Sequence, residues 1–285
     1  MFQREGLQEQ AAASILKLIN GADDLNLLLT GVTGFLGRAL GQKLGDHTVN
    51  LTSRSGEFGG VPCFFRKDIS STENFSDCLN GVEVVIHAAA RVHRINDQVH
   101  DPFKWYMETN CFGTLNLARQ AAKAGVKRFI FISSIKVNGE ETPTGKPFFF
   151  DDPRRAVEPY GISKARAEEG LLEIASESTL EVTIIRPPLV YGPGVKANFA
   201  SLLKLASKNF PVPFGAIENK RSFVALDNLV DLIITCIDHP NAVNQIFLVS
   251  DDSDVSTPEL YSLMTASFGK EALMINISPR VLNRL

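Results

Sequence analysis

The sequence predicts an α/β fold, a doubly wound parallel sheet followed by a smaller C-terminal lobe. Three observations predict it. Short apolar runs alternate with helical patterns from Leu25 to Arg186. Those runs are apolar on both faces, as strands covered by helices on either side must be. A glycine-rich turn, Thr30-Gly-Val-Thr-Gly-Phe-Leu-Gly37, joins the first strand to the first helix. The chain has 285 residues, ample length for a large core.

Residues 1–24 place Leu7, Ala11, Ile15 and Leu18 at helical spacing, which predicts a short amphipathic helix ahead of the fold. Arg4, Glu5 and Glu9 precede any apolar run, which is not a signal-peptide layout. Leu25–Leu29 reads as a buried strand, Gly34–Leu44 as a helix, and Thr48–Thr52 and Val82–Ile86 as further strands. A long helical pattern from Lys104 to Ala124 ends at Gly125, the residue type favoured just past a helix. Arg128–Ile132 and Leu180–Ile185 complete the strands of a nucleotide-binding unit spanning 25–186. Beyond it, Pro187, Pro188, Pro193, Pro211 and Pro213 interrupt the alternation. Residues 187–285 therefore read mainly as a substrate-binding lobe on the carboxyl edge of the sheet, with 246–250 returning as a last strand. Ligands of open α/β sheets bind at that edge.

Composition narrows the function. A formal net charge of −3 gives no general attraction for nucleic acid or an anionic membrane. No apolar stretch approaches the ~18 residues that span a bilayer. Cys63, Cys78, Cys111 and Cys236 are scattered, with no metal-ligand spacing, and predict reduced core thiols in a cytoplasmic protein without a metal site.

Gly31, Gly34 and Gly37 sit where a strand becomes a helix, the context a dinucleotide-binding turn requires. Glycine permits the tight turn and close approach to a pyrophosphate, and the helix amino end at Phe35 and Leu36 offers free N–H groups. An acid about 20 residues after the turn would hold the ribose 2′-OH of NAD. Here the segment Asn50-Leu-Thr-Ser-Arg54 contains none. Ser53 and Arg54 suit a 2′-phosphate instead, so NADP(H) is expected ahead of NAD(H), which stays open.

Tyr160 and Lys164 lie about one helical turn apart and share a face. A neighbouring ammonium is expected to lower the phenol pKa towards working pH. Tyr160 is then a candidate general acid/base for a hydroxyl or carbonyl, with Ser134 as a second hydrogen-bonding group. A bare Tyr-x-x-x-Lys is common; the dinucleotide turn upstream gives this one its weight.

Together Thr-Gly-x-x-Gly-x-x-Gly, Asp68-Ile69, His87-Ala-Ala-Ala90, Asn110, Ser133-Ser134, Tyr160-x-x-x-Lys164 and Arg186-Pro-Pro-Leu-Val-Tyr-Gly-Pro193 resemble the extended short-chain dehydrogenase/reductase family, in its nucleotide-sugar epimerase/dehydratase branch. The resemblance implies a Rossmann sheet with Asp68 and Ile69 flanking the adenine. It implies Ala88, Ala89, Ala90 and Asn110 along the cofactor, and Lys164 also reaching the nicotinamide ribose. By the same resemblance Ser134, not Ser133, is the catalytic serine, and Asn198 and Arg221 hold the substrate diphosphate. A helix N-cap is the competing reading of Asn198, and a surface salt bridge that of Arg221. Asn138 stands where a tyrosine is usual and Leu189 where an asparagine is common, both near the expected sugar site. Ile135 and Lys136 replace the acid pair that a dehydratase needs.

The segments Ser133–Glu140 and Arg186–Lys196 look like bacterial surface-polysaccharide enzymes, a group of UDP-glucose 4-epimerase-like proteins and 4-ketoreductases of UDP-sugars. The expected activity is C4 redox chemistry on a UDP-hexose or UDP-N-acetylhexosamine, by an epimerase or a ketoreductase. A non-catalytic NADP-binding sensor or scaffold is the alternative, against which the intact Ser-Tyr-Lys set weighs. The resemblance also implies a homodimer, paired through the helices after Asp101 and around Tyr160.

Overall fold

The structure, a computed structural model, describes residues 25–278 apart from 46, 55, 56, 59, 60, 63, 64, 93–100 and 144. The helix expected within 1–24 and Cys63 lie outside the described residues. The first half of the main sheet comprises β1 (Asn26–Thr30), β2 (Thr48–Ser53), β5 (Phe65–Arg66) and β6 (Val84–His87), with a small hairpin, β3 (Glu57–Phe58) and β4 (Val61–Pro62), before β5. The second half adds β7 (Arg128–Ile132), β8 (Glu181–Arg186) and β11 (Ile246–Leu248), while β9 (Leu189–Tyr191) and β10 (Phe223–Ala225) pair separately. The helices are α1 (Phe35–Lys43), α2 (Pro102–Tyr106), α3 (Thr114–Lys123), α4 (Pro159–Glu177), α5 (Ala197–Lys208), α6 (Leu226–Thr235) and α7 (Thr257–Ala266).

The main sheet has the order β11-β8-β7-β6-β1-β2-β5, and every neighbouring pair is parallel. All carboxyl ends therefore share one edge. The winding reverses between β1 and β6, which opens a crevice beyond Thr30 and His87. Residues alternate between two cores because side chains alternate along a strand. Leu28, Val85, Phe129 and Val182 pack with Leu117, Ala121, Ala167 and Leu171 of α3 and α4. Leu27, Leu29, Ile86 and Ile130 pack on the other face with Leu40 of α1 and Leu229, Val230 and Ile233 of α6. Each fully buried leucine contributes about 1.5–3 kcal/mol.

The helix expected over Lys104–Ala124 begins at Pro102, where the Asp101 carboxylate accepts the Lys104 N–H at 3.1 Å. Its middle widens into a π-helical stretch, Met107–Gly113, before continuing as α3. Gly113 allows the 69–70 loop to come close: a Cβ there would lie 2.8 Å from the Ile69 carbonyl carbon. Gly125 ends the helix with φ +80°.

The smaller lobe has its own core, in which Ala206 and Val212 meet Tyr261 and Met264 around α5 and α7. Residues 226–248 do not join it. α6 packs on the main sheet and β11 pairs with β8, Phe247 opposite Ile185. The returning strand is thus Ile246–Leu248, shorter than 246–250.

Candidate active site

The glycine turn closes over the crevice between β1 and β6. Gly31 has φ +77°, and a Cβ on it would lie 2.5 Å from the Ala89 nitrogen. A Cβ on Gly37 would overlap the Gly31 carbonyl oxygen. Gly34 caps α1 without any capping side chain, and the first turn contains no acid. The N–H groups of Phe35, Leu36 and Gly37 thus open a positive helix end where no side chain intrudes, a surface that fits a pyrophosphate.

Ala88, Ala89 and Ala90 continue from β6 and are half-buried beside this turn. Behind them runs an ordered hydrogen-bond chain. The Ala89 N–H donates to Thr30 Oγ1 (3.2 Å), and that hydroxyl meets His87 Nδ1 (2.8 Å). On the other side His87 Nε2 meets Thr114 Oγ1 (2.9 Å), whose hydroxyl donates to the Asn110 carbonyl (2.9 Å). Since Thr114 spends its proton on Asn110, Nε2 donates, and in the neutral ring Nδ1 accepts from Thr30. Burial, then the charge of Lys164, pushes the His87 pKa down to about 3. In the sequence His87 stands in a motif without a role of its own; a lone histidine ending an apolar strand is the signal for it.

Asn110 is buried within the π-helical stretch. Its amide oxygen accepts the Arg91 N–H at 2.7 Å, and its nitrogen donates to Arg91 O at 3.0 Å and Ser163 Oγ at 3.1 Å. The side chain braces the segment after Ala90 from behind. At the other end of the crevice, Ser53 is buried at the end of β2 and Arg54 is exposed. Arg54 Nε lies 3.8 Å from Asp68 Oδ1, and Ile69 is buried next to it. Ser53, Arg54, Asp68 and Ile69 are therefore gathered at one place on the sheet edge.

Ser134, Tyr160 and Lys164 converge beyond β7. Ser134 caps a single 3-10 turn, Ile135–Val137, where its Oγ accepts the Lys136 N–H at 3.3 Å, and its side chain faces the Tyr160 phenol. Tyr160 is the second residue of α4, after Pro159, which suits the first helical position. Lys164 is fully buried; its Nζ donates to Ile132 O at 2.7 Å and lies 4.4 Å from the centre of the Phe131 ring. Desolvation and the nearby Tyr106 push the Tyr160 pKa up to about 12, against the lowering effect of Ser134. Desolvation pushes Lys164 down to about 7, against Glu168. The expected lowering of the phenol by Lys164 is thus corrected: the ammonium is turned onto Ile132 O, and burial governs both groups.

Ser133 faces inward. Its hydroxyl donates to Glu168 Oε1 at 2.6 Å. Arg186 grips the same carboxylate with Nε (2.9 Å) and Nη2 (2.6 Å), and Arg154 Nε adds a contact at 3.1 Å. Arg186 Nη1 also donates to Asn138 Oδ1 at 2.9 Å, while Asn138 Nδ2 donates to Phe149 O at 2.8 Å. Asn138 is therefore a buried partner of Arg186. Lys136 ties the 3-10 turn to Glu140 and to Glu158, the residue that precedes α4.

Asn198 is the second residue of α5 and exposed; Lys196 holds the N-cap position, so the capping alternative for Asn198 falls away. Arg221 is exposed and makes no side-chain ion pair among the described residues; its backbone bridges Val255 in both directions, at 3.0 and 3.1 Å. Neighbouring aromatics join their segments: Phe199 stacks on Tyr191 with centroids 5.8 Å apart and meets Phe223 edge-on at 6.2 Å. Leu189 is exposed on β9, opposite Phe223. Among the described residues no cluster of His, Cys, Asp or Glu is arranged to hold a metal ion, and no helix is long and apolar enough to cross a membrane.

Residues 27–250 match the NAD dependent epimerase/dehydratase family. The chain is 50% identical over 250 residues to a UDP-glucose 4-epimerase of Vibrio cholerae, covering 86% of this chain and 76% of that one. It is 30% identical over 251 residues to the N-acetyl-alpha-D-glucosaminyl-diphospho-ditrans,octacis-undecaprenol 4-epimerase of Escherichia coli O157:H7, covering 86% and 73%. Among solved structures, MoeE5 in complex with UDP-glucose and NAD superposes with a TM-score of 0.75 at 25% identity, covering 90% of this chain and 86% of that one. A UDP-glucose 4-epimerase with UDP-glucose from Thermotoga maritima shares the fold, with a TM-score of 0.72 at 24% identity and coverage of 90% and 87%.

Proposed function

The chain belongs to the NAD dependent epimerase/dehydratase family, and from that premise we propose that it inverts C4 of a nucleotide-diphosphate sugar, a UDP-hexose or UDP-N-acetylhexosamine. The observation that carries this reading is the convergence of Ser134 on the Tyr160 phenol, with Lys164 one helical turn along, beyond the carboxyl end of β7. The 50% identity to a UDP-glucose 4-epimerase supports it.

A nicotinamide cofactor, when bound, takes up the C4 hydride and gives it back. The protein's own residues manage the proton. Tyr160 accepts the C4 hydroxyl proton as that carbon is oxidised to a 4-keto sugar, and returns it when hydride arrives on the opposite face. Atoms balance over the cycle, so cofactor is not consumed. Ser134 orients the phenol and offers a second hydrogen bond to the C4 oxygen. With its pKa near 12, Tyr160 rests as a phenol, ready to donate to a carbonyl; taking a proton from a hydroxyl calls for a cation nearby. In its protonated form Lys164, one helical turn along with one N–H on Ile132 O, supplies that charge once its remaining N–H groups turn towards the site. Asn198 and Arg221 are assigned to the substrate diphosphate, for which exposed Arg221 supplies charge.

At the adenosine end we read NADP(H) in preference to NAD(H), because Ser53 and Arg54 stand where an NAD site carries an acid. That same feature favours a second reading, a 4-ketoreductase drawing on NADPH. We assign the enzyme to surface-polysaccharide synthesis in the cytoplasm; the buried free thiols of Cys78, Cys111 and Cys236 suit a reducing compartment. We also assign it a homodimer paired through the α2–α3 helix and α4, where Phe103, Trp105 and Phe112 are exposed.

Incubation with UDP-glucose and with UDP-N-acetylglucosamine, followed at 340 nm and by chromatography, separates the readings. An epimer formed without net absorbance change is expected. Stoichiometric NADPH loss with a 4-keto-6-deoxy UDP-N-acetylhexosamine would establish the ketoreductase instead. Cofactor binding with no turnover of any sugar would leave a sensor or scaffold.

A further inference from the structure

We propose that Arg66 is a second cation of the adenosine-end site, gripping the 2′-phosphate of NADP(H) together with Arg54. The proposal rests on the NADP(H) reading above and adds a residue from a different strand. β5 pairs with β2 in parallel register, Ser53 opposite Arg66, and the ladder continues where the Lys67 N–H donates to Ser53 O at 3.2 Å. Arg66 consequently stands at the carboxyl edge beside the buried serine. Its Nε donates to the backbone carbonyl of Arg54 at 3.0 Å, which lays the guanidinium across the end of β2. Two guanidinium side chains thus leave one short stretch of edge, both exposed.

The charge balance favours an anion. Asp68 is the carboxylate that faces Arg54, at 3.8 Å, and both side chains are more than half exposed (65% and 61%), so the pair is weak and solvent-screened. Asp68 is already engaged by its own neighbours: Oδ1 accepts the Ile69 N–H at 3.0 Å. Lys67 is drawn away, to Asp77 at 2.9 Å and Asn74 O at 2.7 Å. Glu73, which accepts the Asp68 N–H at 3.2 Å, is matched by Lys67 at 3.7 Å, so two arginines beside the one carboxylate of Asp68 leave an excess positive charge. A ribose hydroxyl has no use for it, whereas a phosphate dianion accepts from planar guanidinium donors.

Calorimetric titration of the full-length protein with NADPH and NADH, for wild type, Arg54→Ala and Arg66→Ala, tests this. Wild type is expected to bind NADPH more tightly, and each variant to lose about tenfold in NADPH affinity with NADH affinity unchanged. NADPH affinity kept in Arg66→Ala but lost in Arg54→Ala would overturn the role of Arg66 while the NADP(H) reading stands. Equal weakening of both nucleotides in Arg66→Ala would also overturn it, as damage to the edge strand. A wild type without preference for NADPH would sink the NADP(H) reading, and the role of Arg66 with it.

Discussion

Arg186 at the end of β8 and Glu168 on α4 form a buried two-point pair, Nη2 to Oε2 at 2.6 Å and Nε to Oε1 at 2.9 Å. The Glu168 carboxylate also receives Ser133 and Arg154, so one acid joins a sheet strand, the serine turn and the helix that carries Tyr160 and Lys164. Glu168→Ala would leave Arg186 buried without its counter-charge. Urea unfolding should show a loss of about 3–5 kcal/mol, the usual result of breaking one side of a buried ion pair.

Proton transfer by Tyr160 has a sharper signature. Tyr160→Phe keeps the ring against Tyr106, at a centroid distance of 6.1 Å, and removes only the hydroxyl. Turnover should fall by about 10²–10⁴-fold with the melting temperature little changed. Near-normal turnover in the steady state would show that another group moves the proton.

The glycine turn predicts a steric effect. Gly31→Ala places a methyl 2.5 Å from backbone and requires φ +77° of a residue that resists it. The expected cost is at least about 1 kcal/mol, together with weakened dinucleotide binding in a titration.

Acid should loosen the fold through His87. Its folded pKa of about 3 lies below the ordinary 6.5, so between these values the unfolded chain binds a proton that the folded one refuses. The stability tied to the neutral ring is complete above pH 6.5 and is lost as pH falls through that window, with a slope of at most about 1.4 kcal/mol per pH unit. Lys164 has the same sign in a higher window: stability rises with pH from about 7 towards 10.5. Melting temperatures between pH 5 and 6.5 should fall more steeply for wild type than for His87→Gln. Parallel slopes would remove His87 as the cause.

The strand β7 lies where its apolar run reads, Arg128 to Ile132, because a strand buried on both faces announces itself by composition. The glycine turn was equally legible, since its spacing has one structural use. The π-helical stretch was not: Met107–Gly113 has the same apolar pattern as the helix around it, and Asn110 finds its partner 19 residues back, on Arg91. Asn138 reads only as a departure from a usual tyrosine, and its bond to Arg186, 48 residues on, cannot be read from its neighbours. Shared helix face placed Tyr160 near Lys164, but which way an ammonium bends is decided by tertiary carbonyls such as Ile132 O. The prolines after Arg186 marked an interruption and concealed the return of α6 and β11 to the main sheet.

That return has a consequence for engineering. The small core gathers Phe199, Ala206 and Val212 from before α6 with Tyr261, Met264 and Met274 from after β11. The intervening chain belongs to the sheet, so the lobe is stitched from two separate pieces. Exchanging it for a relative's lobe takes a pair of grafts, one on each side of 226–248, made together. A single cut after β9 would carry off the edge strand β11 along with the lobe, and the recipient would lose part of its sheet in the exchange.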